Sequence, residues 1–177
     1  MTNTTDAQPP HADATAARRP AMAHRRYLRA YLSDHLALSE GIGALAERVR
    51  DADRWRAHRV NLVALAVALE QDRADLERVL ADRGIKPDPF KRSFARLGER
   101  AGRLKGNGRL LRTSPLTRLI ELEGLELGLG GCIAAWVTLR DLGVDAPRAN
   151  TALTRLERQQ QMLGQLREEV SRSSFAD

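Results

Sequence analysis

Residues 116–142 read LTRLIELEGLELGLGGCIAAWVTLRDL, and this stretch decides the fold. Its apolar residues recur at three- and four-residue spacing, which predicts a helix, and Glu123 and Glu126 fall within the apolar stripe. A carboxylate buried in such a stripe is costly unless it is paired, hydrogen-bonded or bound to a metal. Two of them one turn apart therefore demand a partner. Ser114-Pro115 supplies the expected helix start, a capping hydroxyl followed by proline at the first helical position, and the helix ends near Leu142-Gly143.

Upstream, Leu28, Tyr31, Leu32, Leu38, Ile42, Leu45 and Val49 predict a helix over about 22–50. A second is predicted over about 54–83, carrying Leu62, Leu65, Leu69, Leu76, Val79 and Leu80, with Gly84 as its stop. Downstream, Leu153, Leu156, Leu163, Leu166 and Val170 predict a fourth over about 147–173. Between helices two and three, residues 85–113 open with Pro87 and Pro89, break at Gly106 and Gly108, and carry Phe90, Phe94 and Leu97 in a short helical pattern. This is too long and too apolar for a turn and reads as a helix-containing crossover. Residues 1–20 are polar and aperiodic, a disordered tail ahead of one bundle domain over 21–177. The expectation is an all-α, antiparallel four-helix bundle with one long connection in its middle.

Each predicted stripe is interrupted near its midpoint. Helix one contributes His35, with Asp34 at the edge of its arc. Helix two contributes Arg73, flanked by Glu70 and Asp72; helix three contributes Glu123 and Glu126; helix four contributes Arg155 and Gln159. Midpoints of antiparallel helices meet, so His35, Glu70, Arg73, Glu123, Glu126, Arg155 and Gln159 are expected to form one polar layer, in which Arg73, joined by Arg155, pairs with Glu123, Glu126 and Glu70 while His35 and Gln159 complete the hydrogen bonding. Glu70, Asp72, Glu157 and Gln160 also suit helix edges that reach water.

This plan resembles the ferritin-like superfamily, where a bundle with one long crossover holds a di-metal centre at mid-height, ligated by a Glu from each of two helices and a Glu-x-x-His from each of the others. The matching positions here read Glu70-Gln-Asp-Arg73 and Glu157-Arg-Gln-Gln160, without either ligand histidine, and His35 stands where a Glu is expected. Arginine is no ligand, and its charge supplies what a cation would. A metal-free ion-pair network in a non-enzymatic structural or interaction protein is therefore the primary expectation. The alternative is a metal-binding protein or oxidoreductase holding iron, manganese or zinc at His35, Glu70, Glu123 and Glu126. The chain is also similar to a group of small uncharacterised actinobacterial helical proteins, through Tyr27–His35, the run 102–111, Ser114-Pro-Leu and the Trp136-bearing helix. That resemblance implies a helical fold and leaves the function open.

The net charge of +6 is concentrated: residues 85–113 hold nine basic against two acidic side chains. Lys91, Arg92, Arg96, Arg100, Arg103, Lys105, Arg109 and Arg112 make an anion-binding reading possible, toward nucleic acid or an anionic membrane surface, although aromatics are only 4% and no recognition motif is present. Gly124, Gly128 and Gly131 line one side of helix three and invite close approach, either by the crossover or by a second copy in a homodimer. Cys132 is the only cysteine, which excludes an internal disulfide and a Cys-rich zinc site. The longest uncharged apolar run, Leu127–Leu139, falls short of the roughly 20 residues that cross a bilayer. No transmembrane segment is expected, and the cytoplasm is the expected location. No nucleophile, phosphate-loop or dinucleotide motif is present.

Overall fold

Leucines three and four residues apart put one side of each long segment out of water, and four long helices result: α1 (Ala14–Asp51), α2 (Arg59–Asp82), α3 (Leu116–Asp141) and α4 (Ala146–Phe175). The computed structural model describes residues 14–86 and 116–175, with side chains from residue 25 onward. The described residues contain no strand. The expected tail lies largely outside them, as do Ser114-Pro115 and the crossover beyond Lys86 with all eight of its candidate anion-binding residues; α1 itself reaches back to Ala14, earlier than the periodicity suggests.

The link from α1 to α2 departs from the expected helix start at residue 54. Asp53–His58 is a 3-10 helix, and neither its N-cap, Ala52, nor that of α2, His58, makes a side-chain capping bond. The first turn tightens instead, with the Trp55 amide donating to the Ala52 carbonyl at 2.9 Å, and the turn drives the Trp55 side chain fully into the core.

Two helices stop by the same device. After α2, the amide of Gly84 donates to the Ala81 carbonyl and that of Ile85 to the Leu80 carbonyl; after α3, Gly143 and Val144 do the same to Arg140 and Leu139. Both glycines take positive φ, 60° and 66°, which this motif requires, and the apolar residue that follows each is buried. Asp145 then caps α4, its Oδ1 accepting from the Arg148 amide at 3.2 Å.

α1 packs on α2 and α3, and α4 packs on α2 and α3. The Arg25 guanidinium donates to the Gly84 carbonyl at 3.0 Å, joining the early part of α1 to the end of α2. Asp82 at the end of α2 pairs with Arg148 at the start of α4. The core between the helices is mostly leucine, among them Leu32, Leu36, Leu65, Leu69, Leu76, Leu122, Leu125, Leu129, Leu156 and Leu163, with Trp136 near its middle.

The glycine side of α3 faces α1. A Cβ on Gly128 would lie 2.4 Å and 2.7 Å from Cδ1 and Cγ1 of Ile42, one on Gly131 would meet the Leu38 Cδ2, and one on Gly124 would touch Leu45. This side, expected to receive the crossover or a second copy, is filled by side chains of α1 in the same chain.

Candidate functional site

The periodicity of α2 runs Leu65, Leu69, Asp72, Leu76, Val79, so Asp72 occupies a core position in a leucine stripe. It is the one buried acidic side chain among the described residues, with no exposed surface. Ser39, one of two buried serines of α1, donates its hydroxyl to Asp72 Oδ2 at 2.6 Å. Trp136 of α3 donates its indole Nε1–H to Oδ1. Both carboxylate oxygens are thus engaged, from two different helices. The buried Cys132 thiol, one turn before Trp136, adjoins the same carboxylate.

Burial pushes the Asp72 carboxyl above its ordinary range, opposed by the bonds from Ser39 and Trp136, the Arg155 charge and the thiol. The same burial, with the neighbouring Asp72 charge, pushes the Cys132 thiol well up, so it is held as the unreactive thiol. His35 lies one turn before Ser39, its ring 4.4 Å from that of Tyr31, and its buried Nδ1 has no hydrogen-bond partner. Burial lowers the His35 pKa, against the charges of Asp34 and Asp72, and favours neutral imidazole.

At the edge of this centre, Arg155 of α4 donates to Asp75 Oδ2 at 2.8 Å, and Asp75 also accepts from Arg78 at 2.9 Å. Arg155 Nε and Gln159 Oε1 are buried without partners. His35, Arg155 and Gln159 therefore stand near the expected layer.

The remaining expected members do not join it. Arg73 binds the expected Glu70 at 2.6 Å and also Glu77 at 2.8 Å, both on its own helix, and not Glu123 or Glu126; these pairs raise its own pKa, and Arg73 lowers that of Glu70. The reason is angular: Arg73 follows the inward Asp72 by about 100°, which places it at the side of α2. Glu123 is exposed, and Glu126 pairs with Arg167 of α4 at 2.9 Å. His35, Glu70, Glu123 and Glu126 thus lie apart, two of the three carboxylates already held by arginine. The ferritin-like ligand set does not fit: among the described residues no group of three or more His, Cys, Asp or Glu is placed to hold a metal ion.

A second polar lock lies at the α1–α2 turn. Trp55 donates its Nε1–H to Glu121 Oε2 at 2.8 Å, Arg54 grips both oxygens of Glu121, and the Arg118 guanidinium stacks 4.6 Å from the Trp55 ring centre. Two surface depressions, of about 410 Å³ beside Arg25, Leu28, Arg83 and Ile85 and about 480 Å³ along Thr151, Thr154, Arg155, Arg158 and Gln159, open to solvent, and neither is lined by Asp72. With 26 residues, α3 is long and apolar enough by length and composition to cross a membrane; in the bundle it buries Leu122, Leu125, Leu129 and Leu139 and leaves Leu116, Ile120 and Leu127 exposed.

No protein-family model, curated protein or solved structure matches the chain.

Proposed function

We propose that the protein is a non-enzymatic helical bundle, a structural or interaction protein, whose central polar residues hold the helices in register. The observation that carries this reading is the sealed state of Asp72: both oxygens are occupied, by Ser39 and by Trp136, and the side chain has no exposure. A carboxylate that turns over a substrate needs a route to it. A buried carboxylate bonded to two other helices instead penalises any sliding of α2 against α1 and α3, because a shift by one turn would strand its charge.

The residue pairs support an antiparallel, ferritin-like path for the chain: Arg25 meets Gly84, Ser39 meets Asp72, Ile42 faces Gly128, Asp82 meets Arg148, and Glu126 meets Arg167. Each neighbouring pair then runs in opposite directions, with α2 and α3 parallel across the diagonal and one long connection between them, as in bundles of that class. The arginines beside Glu70 and Glu126 take the place that a cation would hold in such a bundle.

Elemental analysis of the purified full chain tests the reading. Less than a tenth of an equivalent of iron, manganese or zinc, before and after incubation with each metal and desalting, is expected. A stoichiometric metal that is lost in a Glu126→Gln or His35→Ala variant would overturn it.

A further inference from the structure

We propose that the outward face of α2 is a homodimer interface, on which a second copy of this chain lays its own α2 antiparallel. α2 buries Leu62, Leu65, Leu69, Asp72, Leu76 and Val79 in the bundle, and its opposite side carries Val60, Val63, Ala64, Val67, Gln71 and Ala74 at helical spacing. Ala74 is half-buried and the other five are exposed, the valines by 83%, 42% and 50%. Between Arg56 and Arg78 this stripe holds no charge; Glu70 stands at its edge, held by Arg73. A solvated helix face of this length normally carries charged side chains. Valine, stiff at χ1, is also a weaker helix former than alanine, glutamate or lysine. Three exposed valines on one line cost helix propensity that burial against another surface offsets.

Two facts select a second copy as the occupant. The first is charge. Arg59 and Glu77 flank the stripe on the same side, about five turns apart at ~3.6 residues per turn. A two-fold axis near residues 67 and 68 exchanges their positions, so each Arg59 meets the partner's Glu77 in two identical ion pairs. A parallel pair would set arginine on arginine and glutamate on glutamate instead. Glu77 is already held by Arg73 at 2.8 Å, and a carboxylate has lone pairs for a second guanidinium. The second fact is shape. The same axis puts Val67 against the partner's Val67, Val60 against the partner's Ala74 and Val63 against the partner's Gln71, so a valine meets a small or flexible side chain on either side of the centre. Arg56 and Arg78 come together at the two ends, each with its own carboxylate, Asp53 at 3.6 Å and Asp75 at 2.9 Å. Another exposed apolar row, Leu116, Ile120 and Leu127 of α3, is broken by exposed Glu123 and ends at Asp141. That line carries no basic residue, so a two-fold there would gather carboxylates without counter-charge. One pair of 24-residue helices, ~36 Å long, makes a contact near the ~1,200 Å² lower bound of stable interfaces, so the dimer is a reversible one. The inference rests on the reading of an interaction protein and gives that reading a partner.

Sedimentation velocity of the full chain from micromolar to submillimolar concentration is expected to show a reversible monomer–dimer equilibrium. Val67→Glu, at an exposed position that tolerates a good helix former, is expected to raise the dissociation constant at least ~100-fold while the helicity of the dilute monomer stays unchanged. Single cysteines read the register, since Cys132 is buried. Under mild oxidation Val67→Cys is expected to give a disulfide-linked dimer. Val60→Cys is expected to give none, because its two copies lie ~22 Å apart along the axis at ~1.5 Å per residue, and a disulfide spans at most ~7 Å between Cα atoms. A chain that stays monomeric throughout would overturn the proposal. So would a dimer that Val67→Glu leaves intact, equal linkage at positions 60 and 67, or a dimer that links through Leu127→Cys and not through Val67→Cys. None of these readouts depends on metal content, so the interface and the metal-free reading can fail separately.

Discussion

Asp72 ties the chemistry of a single side chain to the pH response of the protein. Its carboxyl pKa is raised by burial, so folding favours the protonated form. A raised acid contributes stability that is fully present below its unfolded pKa, about 3.9, and is lost as pH rises through the folded value. Asn has no such loss and can still accept from Trp136 and donate to Ser39. The melting temperature of Asp72→Asn relative to the native chain is therefore expected to rise from pH 4 upward and then level off, as read by circular dichroism melts across pH. The downward-shifted Glu70 and Asp51 cancel in this difference because both proteins carry them. Asp72→Ala, which strands two buried donors, is expected to lose ~3 kcal/mol at neutral pH in urea titrations. Two glycines give a second contrast. Gly128→Ala forces the root of the buried Ile42 side chain to move and is expected to destabilise by ~1–3 kcal/mol, with Ile42→Ala relieving the clash in the double variant. Gly131→Ala meets only the free end of the partly exposed Leu38, so better helix propensity leaves it neutral or up to ~1 kcal/mol more stable. Cys132, 1% exposed with its thiol pKa raised, is expected to resist a thiol-specific reagent at pH 8 until denaturant unfolds the chain.

Among the elements, the 3-10 turn and α3 are joined at Glu121. Trp55→Phe keeps the ring and removes the donor to Glu121, and is expected to cost ~1–2 kcal/mol; Trp55→Ala also empties a core site and is expected to cost ~3–5 kcal/mol, both read by urea denaturation. The α helices were legible because their leucine spacing is regular and because the Gly84 and Gly143 stops are written in the chain. The inward side of α3 was not. Apolar residues run nearly all the way round it, so both the arc holding Leu122, Leu125 and Leu129 and the arc holding Ile120 and Leu127 satisfy a helical period. Glu123 reads as buried from the second arc and is exposed because the first one faces the core. Gly124, Gly128 and Gly131 carried the missing orientation, since they mark where α1 comes close. In α2 the inward Asp72 was readable from its place between Leu69 and Leu76, but Arg73 beside it offers the larger charge and draws attention from the position that is actually sealed.

At the scale of the molecule, mid-height polarity was foreseeable while its wiring was not, because a periodic pattern defines faces and leaves rotamers and partners to packing. Arg73 with Glu70 and Glu77 within α2, and Glu126 with Arg167 between α3 and α4, are pairs at partly exposed sites, where each contributes ~0–1 kcal/mol and geometry is cheap to satisfy. The sealed Ser39–Asp72–Trp136 set, by contrast, needs three helices in place at once. One practical consequence lies in the chain's two tryptophans, both fully buried and each hydrogen-bonded to a carboxylate on another helix. Their fluorescence divides the molecule into two zones, one indole at the α1–α2 turn and one at the centre. In a Trp55→Phe protein the remaining emission comes from the centre alone, so a shift of its wavelength during unfolding dates the moment the middle admits water, separately from the opening of the ends.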